Sequence, residues 1–175
     1  LMRSTNGGVS WTKILLDTVN VNLSSLALNP VMPDTIYAGT DGNGIYRSFD
    51  GGVTWKQVNI GLTFLRVQEL VVHPTNPDTL YSATFGGGVF RSVNGADSWE
   101  GVNKNLSDLD VSSLAIAPSN PSTIFIGTKN GKIFKSVTNG NNWVDLTKNL
   151  AEPSLVGDIA VHPDSSSVIY AGLSA

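Results

Sequence analysis

The sequence predicts an all-β chain of four repeated units, arranged as the blades of a β-propeller. Three regular spacings in the 175-residue sequence, between tryptophans, serines and prolines, indicate this fold. The tryptophans stand 44 residues apart, at Trp11, Trp55, Trp99 and Trp143. A serine lies seven residues before each of them, at Ser4, Ser48, Ser92 and Ser136. A proline follows the first three tryptophans by 19 residues and the fourth by 20, at Pro30, Pro74, Pro118 and Pro163. A four-stranded unit repeated every 40–45 residues is typical of a propeller blade.

Within one unit, short apolar runs alternate with turn residues. In the second unit the expected strands cover 70–72, 79–83, 89–92 and 98–102. Proline, asparagine, aspartate and glycine fill the intervals, so the four strands are expected to form an antiparallel meander. No stretch keeps an apolar period of 3.6 residues, so helices are expected to be minor.

The first strand of each unit is apolar at successive positions. Its residues are Leu26-Ala27-Leu28, Leu70-Val71-Val72, Leu114-Ala115-Ile116 and Ile159-Ala160-Val161. A strand that is apolar on both faces is expected to be buried on both. We therefore expect these to be the innermost strands, packed between neighbouring blades.

The repeat divides the chain into three whole blades and two half-blades. The expected boundaries are a half-blade 1–22, blades 23–66, 67–110 and 111–155, and a half-blade 156–175, with one inserted residue near 151–157. Pairing the two halves would remove exposed strand edges. Three arrangements satisfy that pairing: one four-bladed ring, two chains exchanging halves in an eight-bladed ring, or a piece of a longer propeller. The chain opens at Leu1 without methionine, which suggests a mature product or a fragment, and we favour an incomplete propeller that needs further blades.

Composition excludes several classes of protein. Eleven basic and 14 acidic residues give a net charge of −3, which argues against nucleic-acid binding. The absence of cysteine removes disulfides, thiolate catalysis and cysteine metal sites. No apolar run approaches the roughly 18 residues that span a bilayer, so membrane insertion is not expected.

An eight-residue motif accompanies each tryptophan. Ser48 to Trp55 matches S-x-D-x-G-x-x-W in full, with Asp50 in third place. The other three copies depart from this motif: the third residue is Asn6, Asn94 or Thr138, and Ala96 replaces a glycine. The motif resembles the Asp-box, or BNR repeat, of sialidase, xyloglucanase and sortilin-type propellers.

The Asp-box is expected to be structural. An Asp or Asn side chain accepts backbone N–H groups of its own turn, glycine supplies a positive φ, and tryptophan packs beneath. Only one copy keeps a carboxylate, whereas calcium needs several oxygen ligands, so no metal is expected. The resemblance favours an extracellular or cell-surface location.

A sialidase site is excluded by the residue inventory. It would need three convergent arginines, but Arg3, Arg47 and Arg91 occupy one position of three successive units, with Lys135 in the fourth. These repeat-equivalent residues are expected to point outward from different blades around a ring, so that they cannot converge. We expect these four cations to be solvated.

Residues specific to single units are the candidates for ligand binding. They are expected to share the face formed by the loops between strands two and three and between blades. They are Asp41, Phe64, Arg66, Glu69, Phe85, Asp108, Asp110, Lys129 and Asp158. Carboxylates beside an aromatic ring and an arginine suit a sugar-binding cleft, although ordinary solvated loop residues would give the same pattern.

No catalytic set emerges from the remaining residues. His73 and His162 are repeat-equivalent and precede prolines, so both are expected to be turn residues, and zinc is not expected. We expect no catalytic residue and no cofactor. The predicted function is a non-catalytic binding or scaffolding module for a glycan or a protein, which self-associates or joins further blades. The alternative is a carbohydrate-active enzyme, a glycoside hydrolase of the Asp-box type, or a fragment of one.

Overall fold

The computed structural model describes residues 1–16, 21–150 and 154–174, which form antiparallel sheets joined by tight turns. The N-terminal half-blade contains β1 (Met2–Arg3) and β2 (Thr12–Lys13). Blade 1 contains β3 (Leu23–Leu28), β4 (Ile36–Thr40), β5 (Ile45–Ser48) and β6 (Lys56–Gln57). Blade 2 contains β7 (Val67–Val72), β8 (Leu80–Thr84), β9 (Gly88–Ser92) and β10 (Glu100–Gly101). Blade 3 contains β11 (Val111–Ile116), β12 (Ile124–Thr128), β13 (Ile133–Ser136) and β14 (Val144–Asp145). The C-terminal half-blade contains β15 (Val156–Val161) and β16 (Ile169–Leu173).

Consecutive strands pair in the order in which they occur in the chain, which is the predicted meander. Blades 1 to 3 are four-stranded sheets, whereas β1–β2 and β15–β16 form two separate two-stranded sheets. The four-stranded repeat predicted from the tryptophan spacing is therefore confirmed. Helix is limited, within the described ranges, to one 3-10 turn at Thr147–Asn149. That turn is far shorter than a helix that crosses a bilayer. Residues 17–20 of the predicted half-blade 1–22, residues 151–153 of the segment in which one inserted residue is expected, and residue 175 lie outside the described ranges.

The hydrophobic core lies between blades rather than within any one of them. One buried cluster joins Tyr37 of blade 1 to Leu70 and Leu80 of blade 2. The next cluster repeats this arrangement one blade further on, with Tyr81 of blade 2 beside Leu114 and other residues of blade 3. A single sheet exposes apolar residues on both faces, so each blade requires a neighbour to cover them.

The second and third strands of each blade are more buried than the first, which corrects the expectation for the first. All five residues of β8 and of β12 are buried, whereas β3 is largely half-buried or exposed. The second strand is hydrogen-bonded along both edges and covered on both faces, while the first has a free inner edge. Leu26 and Leu28 remain 46% and 60% exposed, because the N-terminal half-blade packs against Ala38 and Tyr46 on the same face and leaves the first strand largely uncovered.

The third-strand cations are not all solvated, contrary to the expectation from their charge. Arg47 is 8% exposed and donates from Nη1 to the Gly95 carbonyl of blade 2, with Asp97 Oδ1 at 2.8 Å. Arg91 repeats the contact one blade further on, donating to the Asn139 carbonyl at 3.0 Å. Each arginine therefore ties its blade to the Asp-box turn of the next, a role that their equivalent positions concealed.

Replacing Arg47 by methionine should lower the free energy of unfolding by about 1–3 kcal/mol, because the Gly95 carbonyl loses its charged donor while the aliphatic stem is kept. Lys56→Met is the matched control, since Lys56 is the exposed cross-strand neighbour of Arg47. Urea denaturation followed by circular dichroism measures both. Equal losses from the two substitutions would contradict an inter-blade role for Arg47.

Candidate functional site

Four of the predicted residues meet at one edge of the blades, and we name them the rim patch: Asp41, Arg66, Phe85 and Lys129. Three of them stand directly after β4, β8 and β12, so equivalent strand ends deliver them to the same edge. Arg66 directly precedes β7 and pairs with Asp41 in an isolated antiparallel β-bridge. Its carbonyl accepts the Phe85 N–H at 3.0 Å, which joins the linker to blade 2.

The side chains of the rim patch contact one another in a continuous series. Arg66 Nε lies 2.8 Å from Asp41 Oδ1, and these side chains are 52% and 44% exposed. The Arg66 guanidinium carbon lies 4.6 Å from the centre of the Phe85 ring, and Lys129 Nζ lies 4.7 Å from it. Exposed contacts of these kinds contribute about 1 kcal/mol or less each, so stability alone does not account for this combination of side chains.

Phe64 extends the rim patch along the linker that follows blade 1. Its ring is 43% exposed and lies on the glycine turn after Phe85. A Cβ on Gly87 would come within 2.4 Å of that ring, so only glycine allows the approach. On its other side Phe64 packs at 6.5 Å from the ring centre of Phe90, a buried residue. One exposed aromatic ring is therefore held rigidly beside the patch.

Asp108 and Asp110 occupy different positions although they are two residues apart. Asp108 is 8% exposed, and both of its carboxylate oxygens accept from Asn130 Nδ2 at 3.2 Å. Asp110 is half-buried, and its carbonyl accepts the Lys129 N–H at 2.9 Å, which places it next to the patch. Asp108 therefore braces the loop, whereas Asp110 borders the rim patch.

Asn130 was not among the predicted residues, although the repeat contains a signal for it. The equivalent positions in the two preceding units are glycines, Gly42 and Gly86. A side chain that replaces a turn glycine in one unit indicates a local contact, here the pair with Asp108.

Glu69 and Asp158 belong to the innermost strands rather than to the rim patch. They share one repeat position, which lies just after a β-bulge in the first strand of every unit: Ser25, Glu69, Ser113 and Asp158. Ser25 Oγ accepts the Leu70 N–H at 3.0 Å, and Glu69 Oε2 accepts the Leu114 N–H at 2.5 Å. In blades 1 and 2 this position therefore ties one blade to the first strand of the next.

Burial raises the pKa of Glu69 to about 7, and the negative charge of Asp158 acts in the same direction. The hydrogen bond from Leu114 N–H acts in the opposite direction, but it is the weaker effect. At neutral pH, Glu69 is thus close to half protonated.

The Asp-box side chains accept hydrogen bonds from groups of their own turns. Asp50 Oδ1 accepts the Val53 and Thr54 N–H groups at 3.0 and 2.8 Å, and the Ser48 hydroxyl at 2.8 Å. Hydrogen bonds from Thr54, with others in the turn, lower the pKa of Asp50 to about 2. Asn6 and Asn94 accept the corresponding N–H groups, at 2.9 and 3.0 Å.

These turns leave no cluster of metal ligands. The described residues contain no group of three or more His, Asp and Glu side chains suited to a metal ion. His73 and His162 lie in turns, where Nδ1 accepts the N–H of Asn76 at 3.1 Å and of Asp164 at 3.2 Å respectively.

The Asp-box tryptophans differ in their surroundings. The indole N–H of Trp99 donates to the Val58 carbonyl at 2.9 Å, and that of Trp143 donates to the Val102 carbonyl at 2.7 Å. Both acceptors belong to the preceding blade. Trp11 is 58% exposed, because the described residues include no blade before it.

One protein-family model matches part of the chain. The Sortilin-Vps10 family model (sortilin, neurotensin receptor 3) matches residues 1–84, just under half of the chain. No curated protein sequence matches the chain.

Solved structures show the same fold. A GH74 enzyme of Niastella koreensis superposes with a TM-score of 0.84 at 21% identity, over 97% of this chain and 31% of its own. An ancestral GH74 enzyme gives 0.74 at 22% identity, over 86% and 22%. YCF48 from Cyanidioschyzon merolae gives 0.56 at 19% identity, over 77% and 39%. This chain thus spans well under half of each of these structures. These likenesses show that the chain has the fold of β-propeller blades, and its repeats carry a motif similar to the Asp-box.

Proposed function

We propose that this chain is a non-catalytic propeller module that binds a glycan through the rim patch. The observation that carries the proposal is the convergence of Asp41, Arg66, Phe85 and Lys129 from three successive blades onto one exposed surface. Asp41, Phe85 and Lys129 share one repeat position, which explains why they lie at the same edge but not why their side chains differ so much in chemistry. Propellers and other repeat proteins form their binding surfaces in this way, with unit-specific side chains on a shared scaffold.

The chemistry of the patch suits a hydroxyl-rich ligand. Asp41 of the patch and the neighbouring Asp110 carry negative charge, and Arg66 and Lys129 carry positive charge, so the surface has both hydrogen-bond acceptors and donors and these four charges cancel. Lys129 lacks a carboxylate within ion-pair distance in the described part of the chain, which leaves its ammonium group available. The exposed ring of Phe64 adds an apolar surface beside these polar groups. A protein ligand would use the same groups, and the polysaccharide-binding experiment below distinguishes a glycan ligand from a protein ligand.

The binding test compares two phenylalanines. A panel of immobilised neutral polysaccharides, with xyloglucan among them, is expected to retain the chain, and Phe85→Ala should weaken retention about tenfold or more, as loss of a central contact does. Phe49→Ala is the matched control, because the Phe49 ring also contacts an arginine, Arg47, but is 63% exposed and lies in an Asp-box turn. Failure of every polysaccharide to retain the chain, or equal losses from the two substitutions, would overturn the glycan proposal.

The second candidate is a part of a glycoside hydrolase, and Glu69 is the observation that favours it. An acid whose pKa lies near 7 is suited to protonating a leaving group at neutral pH. Against this, Glu69 Oε2 is engaged with the Leu114 N–H of the next blade. A reducing-sugar assay on the same polysaccharides separates the candidates, since turnover abolished by both Glu69→Gln and Asp158→Asn would replace the binding proposal with the catalytic one.

A further inference from the structure

The positive charges of the rim patch gather around one aromatic ring. The Arg66 guanidinium carbon and Lys129 Nζ lie 4.6 and 4.7 Å from the centre of the Phe85 ring. The ring attracts each cation, but two cations at one ring repel each other. Asp41 compensates Arg66 alone, because its Oδ1 lies 2.8 Å from Arg66 Nε. These three charged groups therefore leave one positive charge uncompensated beside the ring.

Lys129 is the cation without a counter-ion. Among the described residues, no carboxylate lies within ion-pair distance of its Nζ. The neighbouring Asp110 reaches Lys129 through the backbone, since its carbonyl accepts the Lys129 N–H at 2.9 Å. Lys132 of the same turn differs, because its Nζ donates to Ser107 Oγ at 3.0 Å. Lys129 thus presents its ammonium group to a ligand with only an aromatic ring as its partner.

Arg66 is held in a way that keeps its outer nitrogens accessible. Asp41 engages Nε, and in the described part of the chain neither Nη1 nor Nη2 of Arg66 donates a hydrogen bond. Arg47 and Arg91 instead direct Nη1 to a carbonyl of the next blade. The two outer nitrogens of a guanidinium form a planar fork that matches the two oxygens of a carboxylate. Arg66, whose side chain is 52% exposed, can therefore bind a second carboxylate from the solvent side.

An aromatic ring next to these cations supplies a surface for a sugar ring. Phe64 is 43% exposed and packs on the Gly86–Gly87 turn that follows Phe85. Small-ligand sites commonly combine such an apolar surface with a few polar groups that fix orientation. An inorganic anion would contact only Arg66 and Lys129, whereas a sugar that carries an anionic group would contact the ring as well.

From these contacts we infer that the rim patch prefers a glycan whose sugars carry a carboxylate, that is, a uronic acid. The inference rests on the proposed glycan binding and names the class of ligand. The two outer nitrogens of Arg66 bind the carboxylate, Lys129 Nζ adds the second positive charge, and the sugar ring lies on Phe64. Neutral sugars use the same surface through their hydroxyl groups and bind more weakly. All of these residues belong to blades 1 to 3 and the linkers between them, so the site needs no residue from elsewhere.

Calorimetric titration with oligomers of galacturonate and with their methyl esters tests the inference. The two ligands share the same sugar ring and differ in the charge of the carboxyl group. We expect the acid to bind about tenfold more tightly, as one added charge-assisted contact provides. The chain has a net charge of −3, which opposes unspecific attraction to a polyanion. High salt should remove the preference, because it screens exposed charges.

Lys129→Met should reduce the preference for the acid about fivefold, because the charge is lost while the aliphatic stem is kept. Lys104→Met is the matched control and should leave the preference in place. Lys104 is also exposed, but it lies by the Asp-box turn of blade 3, where its carbonyl accepts the Trp143 N–H at 3.1 Å.

The outcomes separate this inference from the proposed function. Equal affinity for the acid and the ester, with binding still weakened by Phe85→Ala, would overturn the preference for uronic acids and leave glycan binding in place. Absence of binding to both ligands and to every neutral polysaccharide would overturn both proposals. Tighter binding of a sulfated galactan than of galacturonate, or equal effects of Lys129→Met and Lys104→Met, would also overturn the preference for a carboxylate at this patch.

Discussion

Trp143→Ala is expected to lower the free energy of unfolding by about 3–5 kcal/mol, the range measured for removing a large aromatic side chain from a core. Trp143 is 2% exposed and packs in the cluster between blades 2 and 3. Its substitution removes the ring and also deprives the buried Val102 carbonyl of its indole donor. Urea denaturation followed by circular dichroism measures the loss.

The matched control is Trp11→Ala, which removes the same side chain from the same motif. Trp11 is 58% exposed, so the expected loss is less than about 1 kcal/mol. Both substitutions are made in the otherwise unchanged chain. Similar losses at the two sites would contradict the inter-blade origin of the stabilisation, because Trp11 can only stabilise its own turn.

Trp143→Phe separates packing from hydrogen bonding at the same position. The ring largely fills the site, but the Val102 carbonyl loses its donor. We expect a loss of about 1–3 kcal/mol, the cost of leaving a buried polar group unsatisfied. A loss as large as that of Trp143→Ala would assign the effect to packing alone.

The stability of the chain is expected to fall as the pH rises from about 4.5 to about 7, with Glu69 as a main cause. Burial raises the folded-state pKa of Glu69 to about 7 from an ordinary value of 4.5. A group with a raised folded-state pKa stabilises the protein fully below its unfolded pKa. That contribution disappears as the pH passes the folded pKa. Its size is at most about 3–4 kcal/mol, from 1.36 kcal/mol per pKa unit.

Glu69→Gln should abolish this contribution to the pH dependence. The amide oxygen can still accept the Leu114 N–H, but it carries no charge to bury or to repel Asp158. The variant is therefore expected to unfold at a higher temperature than the wild type at pH 8 and at a similar temperature at pH 4.5. Thermal denaturation at the two pH values measures the difference.

Two further variants show whether the effect belongs to Glu69. Glu69→Ser introduces the residue that blades 1 and 3 use at this position, Ser25 and Ser113, and should give the same flat profile. Glu100→Gln removes an exposed carboxylate and should leave the wild-type difference between the two pH values in place. A wild-type slope that persists in Glu69→Gln would show that Glu69 is not its source.

The repeat made much of the fold predictable. Trp55 and its three equivalents set the period, and the turn residues between apolar runs placed the strands within a few residues of their observed bounds. The rim patch was predictable in part, because equivalent positions such as Asp41, Phe85 and Lys129 must end at the same edge of successive blades. Their separation from Asp108 was not, because the pair with Asn130 depends on how one loop folds.

The sequence by itself determined the unit, its period and its order of strands, because these depend on local patterns of apolar, turn and motif residues. Only the tertiary structure decided what each repeated side chain contacts. Arg47 is charged and looked solvated, but the next blade supplies a carbonyl and a carboxylate that bury it. Glu69 looked like a ligand-binding acid, but the bulge before it turns it toward the Leu114 N–H. These partners lie about one repeat away, across an interface that no local pattern describes.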